Sequence, residues 1–102
     1  MENKLNVLVI VVNAGFADDI IEAARAIGVK GATIINARGE GAQHESILGI
    51  TVDTEKDLIL SVVEKATAEK AMAIIKEKFC IKTPAHGICF TMPVEHTIGA
   101  II

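Results

Sequence analysis

The sequence predicts an α+β fold in which two strand–helix–strand units share one antiparallel sheet, with both helices on the same face. Three observations predict it: two amphipathic segments at helical spacing, four short apolar segments at strand spacing, and the order in which they alternate over 102 residues. The strand segments carry a further signal. Lys4–Val12 reads KLNVLVIVV, with Leu5, Val7, Val9 and Val11 on one face and Leu8, Ile10 and Val12 on the other. A sheet covered by helices on one side ordinarily alternates apolar with polar residues, because its free face meets water. Here the free face is apolar too, so the chain is expected to form an oligomer.

The elements follow in order. Asn13-Ala14-Gly15 is a turn, and Phe16–Ile27 (FADDIIEAARAI) sets Phe16, Ile20, Ala24 and Ile27 on one helical face. Asp18 and Asp19 fall in its first turn, where the helix macrodipole favours negative charge. Gly28 is the expected left-handed stop. Gly31–Arg38 (GATIINAR) is a second strand. Gly39–Glu55 then reads as a long central loop, with Ile47–Val52 as an extended stretch within it. Long loops inside small domains are functional or disordered, which makes this one the place to look for function. Lys56–Glu64 is a third strand, with Leu58, Leu60 and Val62 opposing Ile59, Ser61 and Val63. Thr67 is the candidate N-cap of a second helix, Ala68–Phe79, whose inner face is Ala68, Met72, Ile75 and Phe79. Lys82–Gly87 is a loop, Ile88–Val94 (ICFTMPV) a fourth strand, and His96–Ile102 a short apolar tail. This βαββαβ order gives the ferredoxin-like arrangement, a four-stranded antiparallel sheet with two helices on one face. One domain over residues 1–102 is expected, since either half alone is too small to bury a core.

Composition excludes several classes. The chain is 51% hydrophobic without Trp or Tyr, so its core is built of Ile, Val, Leu and Ala. A net charge of -3 argues against nucleic acid as a partner. No apolar run reaches the roughly 20 residues of a membrane span, so no direct membrane insertion is expected. The start, Met1-Glu2-Asn3-Lys4, leads straight into a strand rather than a signal peptide, and a cytoplasmic location is expected. Cys80 and Cys89 lack C-x-x-C spacing and read as small hydrophobes. His44-Glu45 has no third metal ligand beside it. No Ser-His-Asp order, paired carboxylates or P-loop can be assembled, so an enzyme is not expected.

Gly31-Ala32-Thr33 opening the second strand, Arg38-Gly39-Glu40-Gly41-Ala42-Gln43 leaving it, and His86-Gly87-Ile88-Cys89-Phe90-Thr91-Met92-Pro93-Val94-Glu95 near the end together resemble the P-II signal-transduction proteins of nitrogen regulation. They are more similar still to the P-II-like branch with a shortened central loop. The resemblance runs over nearly the whole chain and rests on the three segments occurring together, none being specific alone. It implies a homotrimer with three sheets facing inward and a non-enzymatic regulatory role. Ligand clefts would lie between subunits, and the central loop would engage a partner, a membrane transporter or a metabolic enzyme. Gly39, Gly41 and Gln43 fall at the loop base where backbone approaches phosphate, with Arg38 beside them as a cation. Thr33 and Val62 fall where strand backbone meets adenine. Ala85, His86 and Gly87 form a second loop that would wrap the phosphates from the neighbouring subunit. Glycine-rich backbone suits an anion, because its N–H groups face the ligand without Cβ clashes.

The implied effector is an adenine nucleotide (AMP, ADP or ATP), bringing Mg where Gln43 holds metal-bound phosphate; no cofactor is required. The departures narrow it. Ile88 stands where the resemblance expects a lysine, and Gly99 and Ile101 stand near two expected arginines. Arg38, Lys56 and Lys82 are the remaining nearby cations, which favours an effector with fewer phosphates than ATP. Two other readings stay open: a trimeric divalent-metal protein similar to the cation-tolerance family, with Cys89 or His86 as ligand, and a structural trimer without ligand.

Overall fold

The computed structural model of the chain describes residues 4–39, 45–47, 50–52 and 54–102. In chain order these form β1 (Leu5–Asn13), α1 (Ala17–Ala26), β2 (Thr33–Gly39), β3 (Glu45–Ile47), β4 (Ile50–Val52), β5 (Thr54–Glu64), α2 (Lys65–Lys78) and β6 (Ile88–Pro93). Four strands make one antiparallel sheet in the order β2-β5-β1-β6. The two longest strands thus take its centre, and the ferredoxin-like arrangement is present. Leu8, Ile10, Val12, Ile59 and Val63 face the helices and pack with Ile20 of α1 and with Ala68, Ala71 and Ile75 of α2. Burying each of the larger side chains contributes about 1.5–3 kcal/mol, which makes this layer the main source of stability.

α1 begins after Phe16, which carries no side-chain cap, and has Asp18 and Asp19 in its first turn and Arg25 in its last. It ends on Gly28 at φ 108°, a conformation that favours glycine. The amides of Gly28 and Val29 close back onto the carbonyls of Arg25 and Ala24. The second helix departs from the sequence reading in two ways. It starts at Lys65, so Thr67 lies inside its first turn and does not cap it. The reason is continuity: β5 stays paired to β1 as far as Glu64 opposite Leu5, and the Lys65 amide finds the Lys4 carbonyl at 2.8 Å. Its buried stripe is Ala68, Ala71 and Ile75, while Met72 lies at the exposed margin.

The central segment also differs. Gly39 pairs with Thr54 and Arg38 with Glu55, so both ends of the expected loop are sheet. Between them β3 and β4 form a hairpin, with Glu45 opposite Val52 and Ile47 opposite Ile50. β-Branched residues on both arms favour this pairing over an open loop. The extended stretch expected at Ile47–Val52 takes in the last residue of β3 and the whole of β4.

On the sheet face turned away from the helices, three rows cross the strands: Thr33–Leu60–Val9–Phe90, Ile35–Leu58–Val11–Ile88 and Val62–Val7–Met92. Ile35, Ile88, Phe90 and Met92 are 42–52% exposed in the single chain. Apart from Thr33 these rows are wholly apolar, and monomeric proteins rarely leave so continuous a patch in water. Sedimentation at micromolar concentration should therefore show an oligomer. Phe90→Lys introduces charge on the open part of the face, and it should yield a folded monomer with unchanged far-ultraviolet circular dichroism. A monomeric wild type would remove the reason for this face.

Candidate ligand-binding site

The residues that the sequence assigns to a ligand fall into two groups at opposite ends of β2. Thr33 opens the strand and Gly39 closes it, about 20 Å apart at the usual rise per residue. At the Thr33 end lies an open cleft of about 440 Å³, lined by Val7, Lys30, Thr33, Leu60, Val62 and the tail residues Gly99–Ile101. Its floor is the apolar sheet face. Ser61 supports it from behind by donating a hydrogen bond to the Gly31 carbonyl, which fixes the connection between α1 and β2. At the Gly39 end lies a second open cleft of about 560 Å³, lined by Ala14, Asn36, Arg38, Glu55, Lys56 and Asp57. Both volumes are in the range of small-molecule sites. One is chiefly apolar and the other charged.

The Lys82–Gly87 turn joins the charged end. The Asn13 amide donates to the Ala85 carbonyl at 2.8 Å, and Asn13 Nδ2 donates to the Pro84 carbonyl at 3.0 Å. Asn13 Oδ1 accepts from Lys56 Nζ at 2.6 Å, and the Lys56 side chain runs beside Gly39. The sequence reading sets the Gly39 loop base and the Ala85–Gly87 loop on opposite sides of a subunit boundary; the structure brings their ends together in one chain. Asn13 is the residue that reading missed. Its only local signal is a turn-forming Asn-Ala-Gly, and nothing in the spacing points to Lys56 or Pro84.

Within the turn the assigned residues have duties of their own. Ala85 is buried, and its side chain belongs to the hydrophobic core. The amides of His86 and Gly87 donate to the carbonyls of Thr83 and Phe79 at 2.9 and 2.7 Å. Cys80 O accepts from both the amide and the hydroxyl of Thr83. His86 is exposed and stands at φ 52°, in the left-handed region. Gly87 is glycine because a Cβ there would lie 2.1 Å from the Phe79 carbonyl oxygen. Its small size therefore serves the chain's own packing, whatever it also offers an anion, and a larger residue there would disturb the turn. Gly41 and Gln43 lie outside the described residues, as does His44.

Cys89 lies on the helix side of β6, opposite Ile10, and packs against the core. Burial pushes its thiol up to about 11, so it is the neutral thiol at physiological pH and a poor metal ligand. Among the described residues no group of three His, Cys, Asp or Glu could hold a metal ion. The metal reading gains no support from this geometry.

A family model described as nitrogen regulatory protein P-II matches residues 5–100. No curated protein matches the chain significantly. Among solved structures, a PII-like signalling protein of Thermus thermophilus is 21% identical with a TM-score of 0.70, over 88% of this chain and 86% of that one. GlnK of B. subtilis in its ATP complex is 20% identical with a TM-score of 0.74, over 95% and 90% of the two chains. Arabidopsis thaliana PII bound to citrate is 22% identical with a TM-score of 0.65, over 91% and 77%. At such identities the likeness shows the fold, and it agrees with the sheet order described above.

Two outcomes check this geometry. Gly87→Ala should lower the melting temperature by at least several degrees, since overpacking costs about 1–3 kcal/mol and a domain of this size shifts roughly 4–8 °C per kcal/mol. Unchanged melting would mean that Phe79 does not crowd position 87. Alkylation of Cys89 in the folded protein should be slow at pH 8 and accelerate as pH approaches 11, where the thiolate forms. The raised value also means that Cys89 favours folding below about pH 9, the ordinary thiol value, and that this contribution fades as pH rises toward 11. Fast alkylation at pH 8 would contradict the burial.

Proposed function

This chain belongs to the nitrogen regulatory protein P-II family, and on that premise we propose that it is a non-enzymatic sensor of a small anionic effector, foremost an adenine nucleotide. It assembles as a homotrimer through the apolar sheet face, and the effector sits between neighbouring copies. The observation that carries this reading is the division of the site. Thr33 and Val62 lie at the apolar end of the sheet, while Arg38, Gly39, Lys56 and the Lys82–Gly87 turn lie at the charged end. No nucleoside monophosphate spans that distance within one chain, so a ligand touching both ends needs two copies. Such contacts join unlike surfaces head to tail, and a closed ring is the natural outcome. Adenine would rest on Thr33 and Val62 of one copy, and phosphate would face Arg38 and the Gly39–Gln43 segment of the next. ATP in the B. subtilis GlnK structure and citrate in the Arabidopsis thaliana PII structure are consistent with anionic effectors in this fold.

Ile88, Gly99 and Ile101 set the preference. With those positions uncharged, AMP, ADP or a cyclic nucleotide fits better than ATP, because each added phosphate charge lacks a charged hydrogen bond worth about 1.5–3 kcal/mol. Occupancy would be reported to a protein partner by the segment that carries the β3–β4 hairpin. Titration calorimetry should show AMP or ADP binding in the micromolar range and ATP no tighter. Ile88 is half exposed and opens β6 directly after the Lys82–Gly87 turn, at the rim of the apolar face, so a lysine there can reach toward the turn; sedimentation must first show that Ile88→Lys keeps the assembly of the wild type. Ile88→Lys should tighten ADP and ATP about 10- to 100-fold, the equivalent of one charge-assisted bond. If no nucleotide binds below millimolar and Ile88→Lys gains nothing, the nucleotide reading fails.

A further inference from the structure

We propose that Asn13 is a positioning residue that couples the base of the central segment to the Lys82–Gly87 turn within one chain, through its single carboxamide. The path is contiguous. A Cβ on Gly39 would lie 3.0 Å from Lys56 Cε and 3.1 Å from Lys56 Cγ, so the lysine stem packs directly along that glycine. The ammonium at the end of the stem donates to Asn13 Oδ1 at 2.6 Å. The other half of the same carboxamide donates to the Pro84 carbonyl at 3.0 Å. Its orientation is fixed by its neighbours, because an ammonium can only donate and a carbonyl can only accept. The backbone reinforces both arms: the Asn13 amide holds Ala85, and the Ala14 amide holds Glu55 at 3.0 Å.

A planar carboxamide cannot give up one arm and keep the other unchanged. If the Lys56 ammonium is drawn away, Oδ1 loses its charged partner and the group turns to find another. That turn carries Nδ2 off the Pro84 carbonyl. A shift at Gly39 therefore reaches the Lys82–Gly87 turn through two side chains in direct contact, a contiguous path of the kind that coupling between sites uses. The clip uses no ligand, so it stands or fails independently of the nucleotide reading.

Hydrogen exchange of the full-length chain tests it, with the β1 amides as internal standard. Lys56→Met touches no residue of the turn, and it should speed exchange of the Thr83, His86 and Gly87 amides by roughly fivefold, the effect of losing one net hydrogen bond. Asn13→Asp keeps an acceptor for Lys56 but sets an oxygen against the Pro84 carbonyl. It should loosen the turn while leaving the amides around Lys56 protected. In an Asn13→Ala background, Lys56→Met should add nothing further to exchange in the turn. Unchanged exchange there in Lys56→Met, or a full additional effect in the Asn13→Ala background, would overturn the proposal.

Discussion

The central strand β1 is hydrogen-bonded on both edges and apolar on both faces, and the rest of the structure answers to that. Two helices cover one face with Ile20, Ala68, Ala71 and Ile75, and no further element of the described chain covers the other. The double apolarity also removes the usual safeguard on register. In a half-exposed sheet, a one-residue slip turns polar side chains into the core and is strongly opposed. Here a slip would exchange Leu8, Ile10 and Val12 for Val7, Val9 and Val11 at little cost in buried area. Register must be held by the few polar groups instead. Ser61 grips Gly31, Asn13 grips Lys56 and Pro84, and the Lys65 amide grips Lys4. The bonds of Asn13 and of Lys4 stand at the two ends of β1, where a slip of that strand would break them at once, and the Ser61 bond ties β5 to the start of β2.

The same economy shapes the candidate site. Because the anchors gather at the two ends of the sheet, so do the polar groups that a ligand could use. The Thr33 end offers an apolar floor with the tail alongside, and the Gly39 end offers Arg38 and Lys56. The Thr33 end sets a single cation, Lys30, beside its apolar floor, and the Gly39 end has cations without such a floor. A subunit contact through the free face adds what each end lacks, so assembly and ligand capture draw on one surface in the proposed reading.

Much of this was legible in the sequence, and the failures share a cause. Period and end signals located β1, α1, β5 and β6 within a residue or two, and the double apolarity of β1 and β5 announced the uncovered face. Helical spacing alone puts Met72 on the inner face, because it does not fix which flank of the stripe the sheet covers; the buried flank is that of Ala71. Thr67 was a plausible cap only while the end of β5 was unknown. Gly87 looked like a glycine kept small for an anion, and nothing local reveals the Phe79 carbonyl against it. Asn13 contacts residues 43 and 71 positions away, beyond any pattern that spacing can carry. What escaped were contacts between distant segments.

One such contact bears on how an anion would be sensed. At the charged end Lys56 already has a partner, so an anion that recruits its ammonium must compete with Asn13 Oδ1. The exchange returns a charged hydrogen bond worth about 1.5–3 kcal/mol for one of similar worth, and little net affinity results. For a sensor that is the useful regime. A ligand shifts a conformational equilibrium only by its differential affinity for the two states. Affinity spent on a contact common to both states would retain the ligand without changing anything. Affinity gained by taking Lys56 from Asn13 exists only in the state where the clip is open, so in the proposed reading occupancy and the release of the Lys82–Gly87 turn are one event.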